Sequence, residues 1–302
     1  MILSVLNNKE DPLMRDFESN IINLYGNSGK EWLKALPARI ETFAAQYHLT
    51  DLVPISPLSY HYVLSGFQGH QPIILKLGAD TDNLRRESAA LKAFAGVGAI
   101  SLIAEERGML ILERAVDGSL KTYFPKRERE AVEIACDLMK RLHQAGIPSV
   151  AFFPLLEEQL NCLDQKWPIP LSYLQKARLF RHALLGSVRK TVLLHGDLHH
   201  DNIVRHGKTW VAIDPKGVIG DPAYEAAAFI RNPLPALLIL PNVKDVICDR
   251  VNQFSEIFTL PAKLILRWCF VQSVLSWIWN IEDNIETEDD QKLTKLFDDL
   301  MN

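Results

Sequence analysis

Cysteine is scarce in this 302-residue chain: there are four, at positions 136, 162, 248 and 269. No two form a Cys-x-x-Cys pair, which argues against a zinc ribbon or a redox dithiol. They read as reduced thiols, mostly filling core, in an intracellular protein. An excess of one charge is also missing, since 33 Lys+Arg stand against 37 Asp+Glu, a net charge of −4. So mild an acidity gives no electrostatic basis for binding nucleic acid or a membrane surface. The longest apolar stretches, such as 235–241, fall far below the ~20 residues that span a bilayer. Residues 1–20 lack a basic region leading into an apolar run, so no signal peptide is expected. No internal repeat is visible. What remains is an ordinary globular mix, 48% apolar and 23% charged, long enough for two domains or one lobed domain.

The apolar spacing predicts helix over 15–47, broken at Tyr25-Gly26-Asn27-Ser28-Gly29, with Asn27 or Ser28 capping the second piece. Strands follow in 51–78, where Val63-Leu64 and Ile73–Leu77 flank a glycine-rich turn at 66–69. A helix over 83–95 and strands over 101–106 and 109–112 complete a small, mostly antiparallel sheet. After Glu113-Arg114-Ala115 the pattern turns helical: 129–144, 172–186, 222–230 and a helix over 261–280 that is apolar nearly all round and so buried. Within this helical half a short strand, 192–194, precedes a hairpin, 202–204 and 210–213. The boundary lies at 113–117, which divides the chain into 1–112, a hinge at 113–117, and 118–302.

Chemistry concentrates in His195-Gly196-Asp197-Leu198-His199-His200-Asp201-Asn202 and in Ile213-Asp214-Pro215 beyond it. Asp197 follows an apolar strand, where a carboxylate can project from a loop. Asn202 offers a neutral amide oxygen, and Asp214 ends the next strand pair with a second carboxylate. Asn202 and Asp214 together make a hard-oxygen site of the kind Mg²⁺ takes, completed by phosphate oxygens and water. Asp197 is then left to hold a hydroxyl.

This arrangement resembles the catalytic loop and metal loop of the protein-kinase-like fold, His-x-Asp-x-x-x-x-Asn followed by a magnesium-binding Asp. The resemblance implies a bilobal α+β fold, with a small antiparallel-sheet N-lobe and a larger, mainly helical C-lobe. It also picks out Lys76, the lone charge in Ile73–Leu77, as the phosphate-holding lysine, and Glu87 as its helical partner. Backbone groups at Glu113 and Ala115 would meet the adenine edge. Asp214-Pro215-Lys216-Gly217 followed by Gly220-Asp221-Pro222-Ala223-Tyr224-Glu225 is not a protein-kinase sequence, because the long activation segment is missing. It resembles the aminoglycoside phosphotransferase-like families, and most of all the streptomycin 6-kinase group, the aminoglycoside/hydroxyurea antibiotic resistance kinases. The likeness runs from about residue 25 to 280 and includes Gly29-Lys30-Glu31-Trp32-Leu33. It implies a cytoplasmic Mg-ATP-dependent kinase, with GTP as the alternative donor. The acceptor would be a hydroxyl of a small molecule such as an aminoglycoside.

The phosphate-covering loop, expected near 54–64, lacks the glycines of protein kinases. Gly26-x-x-Gly29-Lys30 is too short for a P-loop and has no Ser/Thr after the lysine. His195, His199, His200 and His206 keep a zinc site open, though in the kinase-like reading His195 braces the loop. Asp221 before Pro222 reads as a helix N-cap. Glu225 either faces a cationic substrate or, as preferred, serves the helix dipole. Trp268, Trp277 and Trp279 read as core. Three rival functions share the motifs: a kinase of an endogenous sugar or amino alcohol, a protein kinase, and a nucleotide-binding pseudokinase.

Overall fold

The computed structural model describes residues 12–55, 60–148 and 153–301. The chain forms two compact units, one of residues 1–92 with 100–116, the other of 93–99 with 117–302.

In the first unit, α1 (Pro12–Gln46) runs as one helix with a kink, and only Gly26 leaves helical dihedrals, at φ 56° and ψ −127°. The expected break thus shrinks to a single residue, which glycine supplies without a Cβ penalty. Ser28 caps nothing; its hydroxyl donates to the Tyr25 carbonyl at 2.7 Å. Gly29 is needed for close approach, since a Cβ there would lie 2.5 Å from the Ile21 carbonyl oxygen. Phe17, Ile21, Trp32, Leu36, Ile40 and Phe43 form one buried helical face. They pack with Leu52, Tyr62, Leu64, Leu75 and Leu77 of the sheet.

That sheet is antiparallel, in the order β1 (Leu49–Pro54), β2 (His61–Gln68), β3 (Gln71–Gly78), β5 (Met109–Glu113), β4 (Leu102–Glu106). Alternation along β3 sends Ile73, Leu75 and Leu77 into the core with α1 and puts Lys76 on the other face. α2 (Thr81–Ala93) follows β3. Of the expected phosphate loop, residues 56–59 lie outside the described residues.

The second unit is built on α3 (Glu128–Leu142), a short turn α4 (Leu156–Gln159), α5 (Leu171–Leu185), α6 (Glu225–Ile230), α7 (Val243–Phe258), α8 (Ala262–Glu282) and α9 (Glu288–Met301). α8 is long and apolar enough to cross a membrane by composition, but 67% of its most apolar window is buried by the fold. Trp268 and Trp277 lie in its core, whereas Trp279 is 36% exposed. α7 and α9, unassigned from sequence, pack against it.

Two small antiparallel ribbons position the motif residues: β6 (Val192–Leu194) with β9 (Val218–Gly220), and β7 (Ile203–His206) with β8 (Thr209–Ala212). The pairing Leu194↔Val218 sets the start of the 195–202 loop beside the end of the 213–217 loop. The pairing Ile203↔Ala212 does the same at the other end, bringing Asn202 back to Ile213. β7–β8 is joined to the rest of the unit by residues 93–99, since the Ala212 N–H donates to the Gly98 carbonyl at 2.7 Å.

Candidate active site

The loop 195–202 is tied down by its own backbone and by its neighbours. The His199 N–H donates to the Asp197 carbonyl at 3.1 Å, and the Asn202 N–H to the His199 carbonyl at 2.9 Å. Gly196 turns the chain at φ 87°. The next loop is stitched across: the Ile213 N–H donates to the Asn202 carbonyl at 3.0 Å, and the Lys216 N–H to the His195 carbonyl at 2.7 Å.

His195 is fully buried, and its Nε2 lies 2.8 Å from the Ile213 carbonyl. Burial lowers its pKa, outweighing the neighbouring carboxylates of Glu225 and Asp197 and the Ile213 carbonyl. A neutral ring protonated at Nε2 satisfies both contacts, because Nδ1 then accepts the Asp197 N–H at 3.3 Å. This bracing of both loops by one ring is the role expected of His195. A zinc site is not formed: no group of three or more His, Cys, Asp or Glu able to hold a metal occurs among the described residues.

Asp197 keeps its carboxylate 29% exposed at the loop surface. His199 Nε2 stands 3.7 Å from Asp197 Oδ2, and burial holds that imidazole below its usual pKa. Asn202 donates its amide N–H to the Asp197 carbonyl at 2.9 Å. With the nitrogen committed to protein, the amide oxygen faces the other way as a hard ligand. Asp214 sits at φ 59°, an uncommon conformation for a residue with a Cβ and one that functional positions often hold. Its Oδ2 lies 2.6 Å from the Lys216 ammonium. An amide oxygen and a carboxylate on stitched loops fit Mg²⁺ chemistry.

In the first unit Lys76 and Glu87 meet at 2.7 Å, with side chains only 8% and 6% exposed. A buried ion pair gains little net stability after its desolvation, so its presence on a sheet face points to use rather than to folding. At the end of β5 the Glu113 N–H is spent on the Ser101 carbonyl at 2.9 Å.

Glu225 stands in the first turn of α6, the preferred sequence reading, and at 1% exposure it has no face toward a cationic substrate. The sequence reading did not foresee that it also holds the catalytic-type loop. Its two carboxylate oxygens accept the N–H groups of His195 at 2.7 Å and Gly196 at 2.9 Å. Burial alone would raise this carboxyl's pKa, but His143, His195 and the Gly196 amide together keep it below the usual value. His143 Nε2 lies 3.5 Å from Glu225 Oε2, too long for a good hydrogen bond. Asp221 does cap, accepting the Ala223 N–H at 3.0 Å, and also takes the Trp268 indole N–H at 3.0 Å.

Sequence reasoning missed Lys216, His143 and a polar line on the apolar helix α8. There Arg231 donates to Gln272 at 3.1 Å and to Ser276 at 3.2 Å. The Gln and Ser recurring at i, i+4 within α8 were the available signal.

A family model for aminoglycoside/hydroxyurea antibiotic resistance kinases matches residues 56–284. The chain belongs to this family. A streptomycin 3''-kinase of Klebsiella pneumoniae is 30% identical over 242 residues, 74% of this chain and 85% of that one. A streptomycin 6-kinase of Streptomyces griseus is 23% identical over 273 residues, covering 86% and 88% of the two chains. The fold of this kinase is that of the solved aminoglycoside phosphotransferase APH(4)-Ia, with a TM-score of 0.67 at 13% identity over 86% of this chain and 97% of the other. Family membership makes the protein a phosphotransferase with a hydroxyl acceptor.

Proposed function

We propose that this kinase transfers the γ-phosphoryl group of Mg-ATP to a hydroxyl of an aminoglycoside of the streptomycin type. The observation that carries the reading is the cross-bracing of the 195–202 loop to Ile213–Asp214. It sets a surface carboxylate, an amide oxygen and a second carboxylate on one rigid frame. Asp197 is the group that orients the acceptor hydroxyl and accepts its proton. Asn202 and Asp214 would hold magnesium, which when bound neutralises phosphate charge. Lys76, fixed by Glu87, sets a positive charge against the nucleotide phosphates, and the Glu113 carbonyl and Ala115 amide, in a hinge at 113–117, meet the adenine edge. Because phosphoryl transfer passes through a loose transition state, positioning and electrostatics supply most of the catalysis. An enzyme that draws on ATP works where ATP is made available, so we place it in the cytoplasm.

An acceptor panel with ADP release as readout tests the reading. Turnover with streptomycin is expected. Turnover confined to sugars or amino alcohols would overturn the acceptor, and no turnover with any acceptor would overturn the enzyme.

Asp214→Ala should weaken nucleotide binding only when magnesium is present, because Mg²⁺ binds poorly without a carboxylate. Calorimetry with ATP, with and without Mg²⁺, measures this; an unchanged magnesium effect would move the metal site elsewhere.

Lys76→Ala, Lys76→Arg and Glu87→Gln should all lower turnover, Lys76→Ala the most, since a planar guanidinium does not replace an ammonium. Glu87 acts only through Lys76, so the losses from Lys76→Ala and Glu87→Gln should be strongly non-additive in a double-mutant cycle. Additive losses would mean that Glu87 has a separate task.

A further inference from the structure

α6 is fastened to the catalytic-type loop along its length. Its first residue, Glu225, takes the His195 and Gly196 N–H groups, and Phe229, one turn on, stacks on the His200 ring at 4.0 Å. Arg231 closes the other end of this short helix, its N–H donating to the Ala227 carbonyl at 3.2 Å. The side chain is half-buried and held by α8. Nε donates to Gln272 Oε1 at 3.1 Å, and Nη1 to the Ser276 hydroxyl at 3.2 Å. Both anchors are themselves fixed. Gln272 also hydrogen-bonds the hydroxyl of buried Tyr224. Ser276 hydrogen-bonds Asp290, a buried carboxyl that takes the Asn280 amide at 2.6 Å as well. Burying polar groups on a helix that is otherwise apolar costs more than packing apolar residues in their place, so the network points to use rather than to folding.

What the network leaves over is Nη2. It has no hydrogen-bond partner among the described residues and is open to solvent. It offers N–H donors and accepts nothing. The charge it carries is felt at His199, whose Nε2 stands 3.7 Å from Asp197 Oδ2. A fixed, unspent donor of fixed sign therefore stands beside the loop that presents Asp197.

We propose that Arg231 is an acceptor-binding residue, its Nη2 donating to an oxygen of the acceptor molecule close to the hydroxyl that is phosphorylated. This rests on the reading of Asp197 as the group that holds that hydroxyl. The atom opposite Nη2 must be a lone-pair oxygen, of a hydroxyl, a ring ether or a carbonyl. An ammonium or guanidinium in that place would meet a like charge with no acceptor between them. A polycationic aminoglycoside must then enter with an oxygen-bearing sugar face toward Arg231 and its cationic groups turned away. Arg231 thus selects against the same molecule docked the other way round.

Steady-state kinetics test this with streptomycin or, if streptomycin is not used, with whichever member of the acceptor panel is turned over. Arg231→Gln should raise the acceptor KM about tenfold, the loss of one hydrogen bond from a charged donor, with kcat and the ATP KM close to wild type. Arg231→Lys, which keeps the charge but not the fork, should fall between the two. Ser276→Ala removes only an anchor; it should raise the acceptor KM less, and its effect should vanish in the Arg231→Gln background. An unchanged acceptor KM in Arg231→Gln would overturn the proposal, or in Arg231→Lys should the first variant not fold. So would an equal rise in the ATP KM or an equal fall in kcat, which a displaced loop would give. A Ser276→Ala effect that persists without Arg231 would overturn it too. Failure with streptomycin alone would overturn only the acceptor named above, because the KM ratios are read on the acceptor that is used. No turnover with any acceptor would overturn both.

Discussion

Asp197→Asn is expected to lower turnover by about 10²–10⁴, the usual cost of losing a positioned base, with nucleotide affinity close to wild type. The substitution is nearly isosteric, and the loop is held by groups it does not touch. The Asp197 carbonyl still receives the His199 and Asn202 donors, at 3.1 and 2.9 Å. The Asp197 N–H still donates to His195 Nδ1. Only the carboxylate that would take the acceptor proton is lost. Steady-state turnover on the acceptor, set beside calorimetric ATP affinity, separates the two effects. Wild-type turnover in the variant would assign the base elsewhere, and a parallel loss of ATP affinity would make Asp197 a nucleotide ligand instead.

Glu225→Gln should cost both stability and rate. The wild-type carboxylate accepts two buried backbone N–H groups. A carboxamide offers one oxygen and turns its own N–H₂ toward the other donor, and each buried donor left unmet costs about 1–3 kcal/mol. Because those amides belong to His195 and Gly196, the loop shifts, and a displacement of about 1 Å in a reacting group can cost ~10² in rate. Urea unfolding and turnover measure the two losses. The pH dependence has a definite sign. The folded carboxyl titrates below its ordinary 4.5, so Glu225 contributes its full linkage stabilisation above that value. The contribution is lost as the pH falls through the folded pKa. The stability gap between wild type and Glu225→Gln should therefore be flat above about pH 5 and narrow in more acid solution. A variant as stable and active as wild type would show that the carboxylate is not what holds the loop.

The contrast between Lys76 and Glu225 shows what a sequence can and cannot disclose. Lys76 and Glu87 carry little signal alone, a lone charge in an apolar strand and one acid in a charged helix; their order and spacing upstream of the 195–202 loop, as in the kinase-like fold, single them out. Asp197, Asn202 and Asp214 stand out because loop and hairpin fix their separations along the chain. Glu225 lies at an ordinary first-turn position, and its real partners are backbone amides twenty-nine and thirty residues earlier. Backbone donors leave no trace in residue identity. The same holds for His143 beneath Glu225 and for Arg250 across from Glu128, whose meetings depend on how helices pack. The kink in α1 falls inside the expected break at 25–29 but is confined to Gly26, because one positive-φ glycine suffices where a run of turn-forming residues suggests a full loop. The strand at 218–220 was missed, having too few residues for periodicity to register.

Residues 93–99 belong to the second unit although residues on both sides of them belong to the first. The polypeptide therefore passes from one unit to the other three times, after 92, after 99 and after 116. A single cut at 116 would not yield two whole parts. The fragment ending there would carry away the segment whose Gly98 carbonyl accepts the Ala212 N–H beside the β7–β8 hairpin. During synthesis that segment leaves the ribosome more than a hundred residues before its partner, so the second unit completes itself around a piece made early. Halves produced as separate chains divided at 116 should reconstitute only when both are present, and gene fusions or permutations of this kinase should spare the 93–99 crossing.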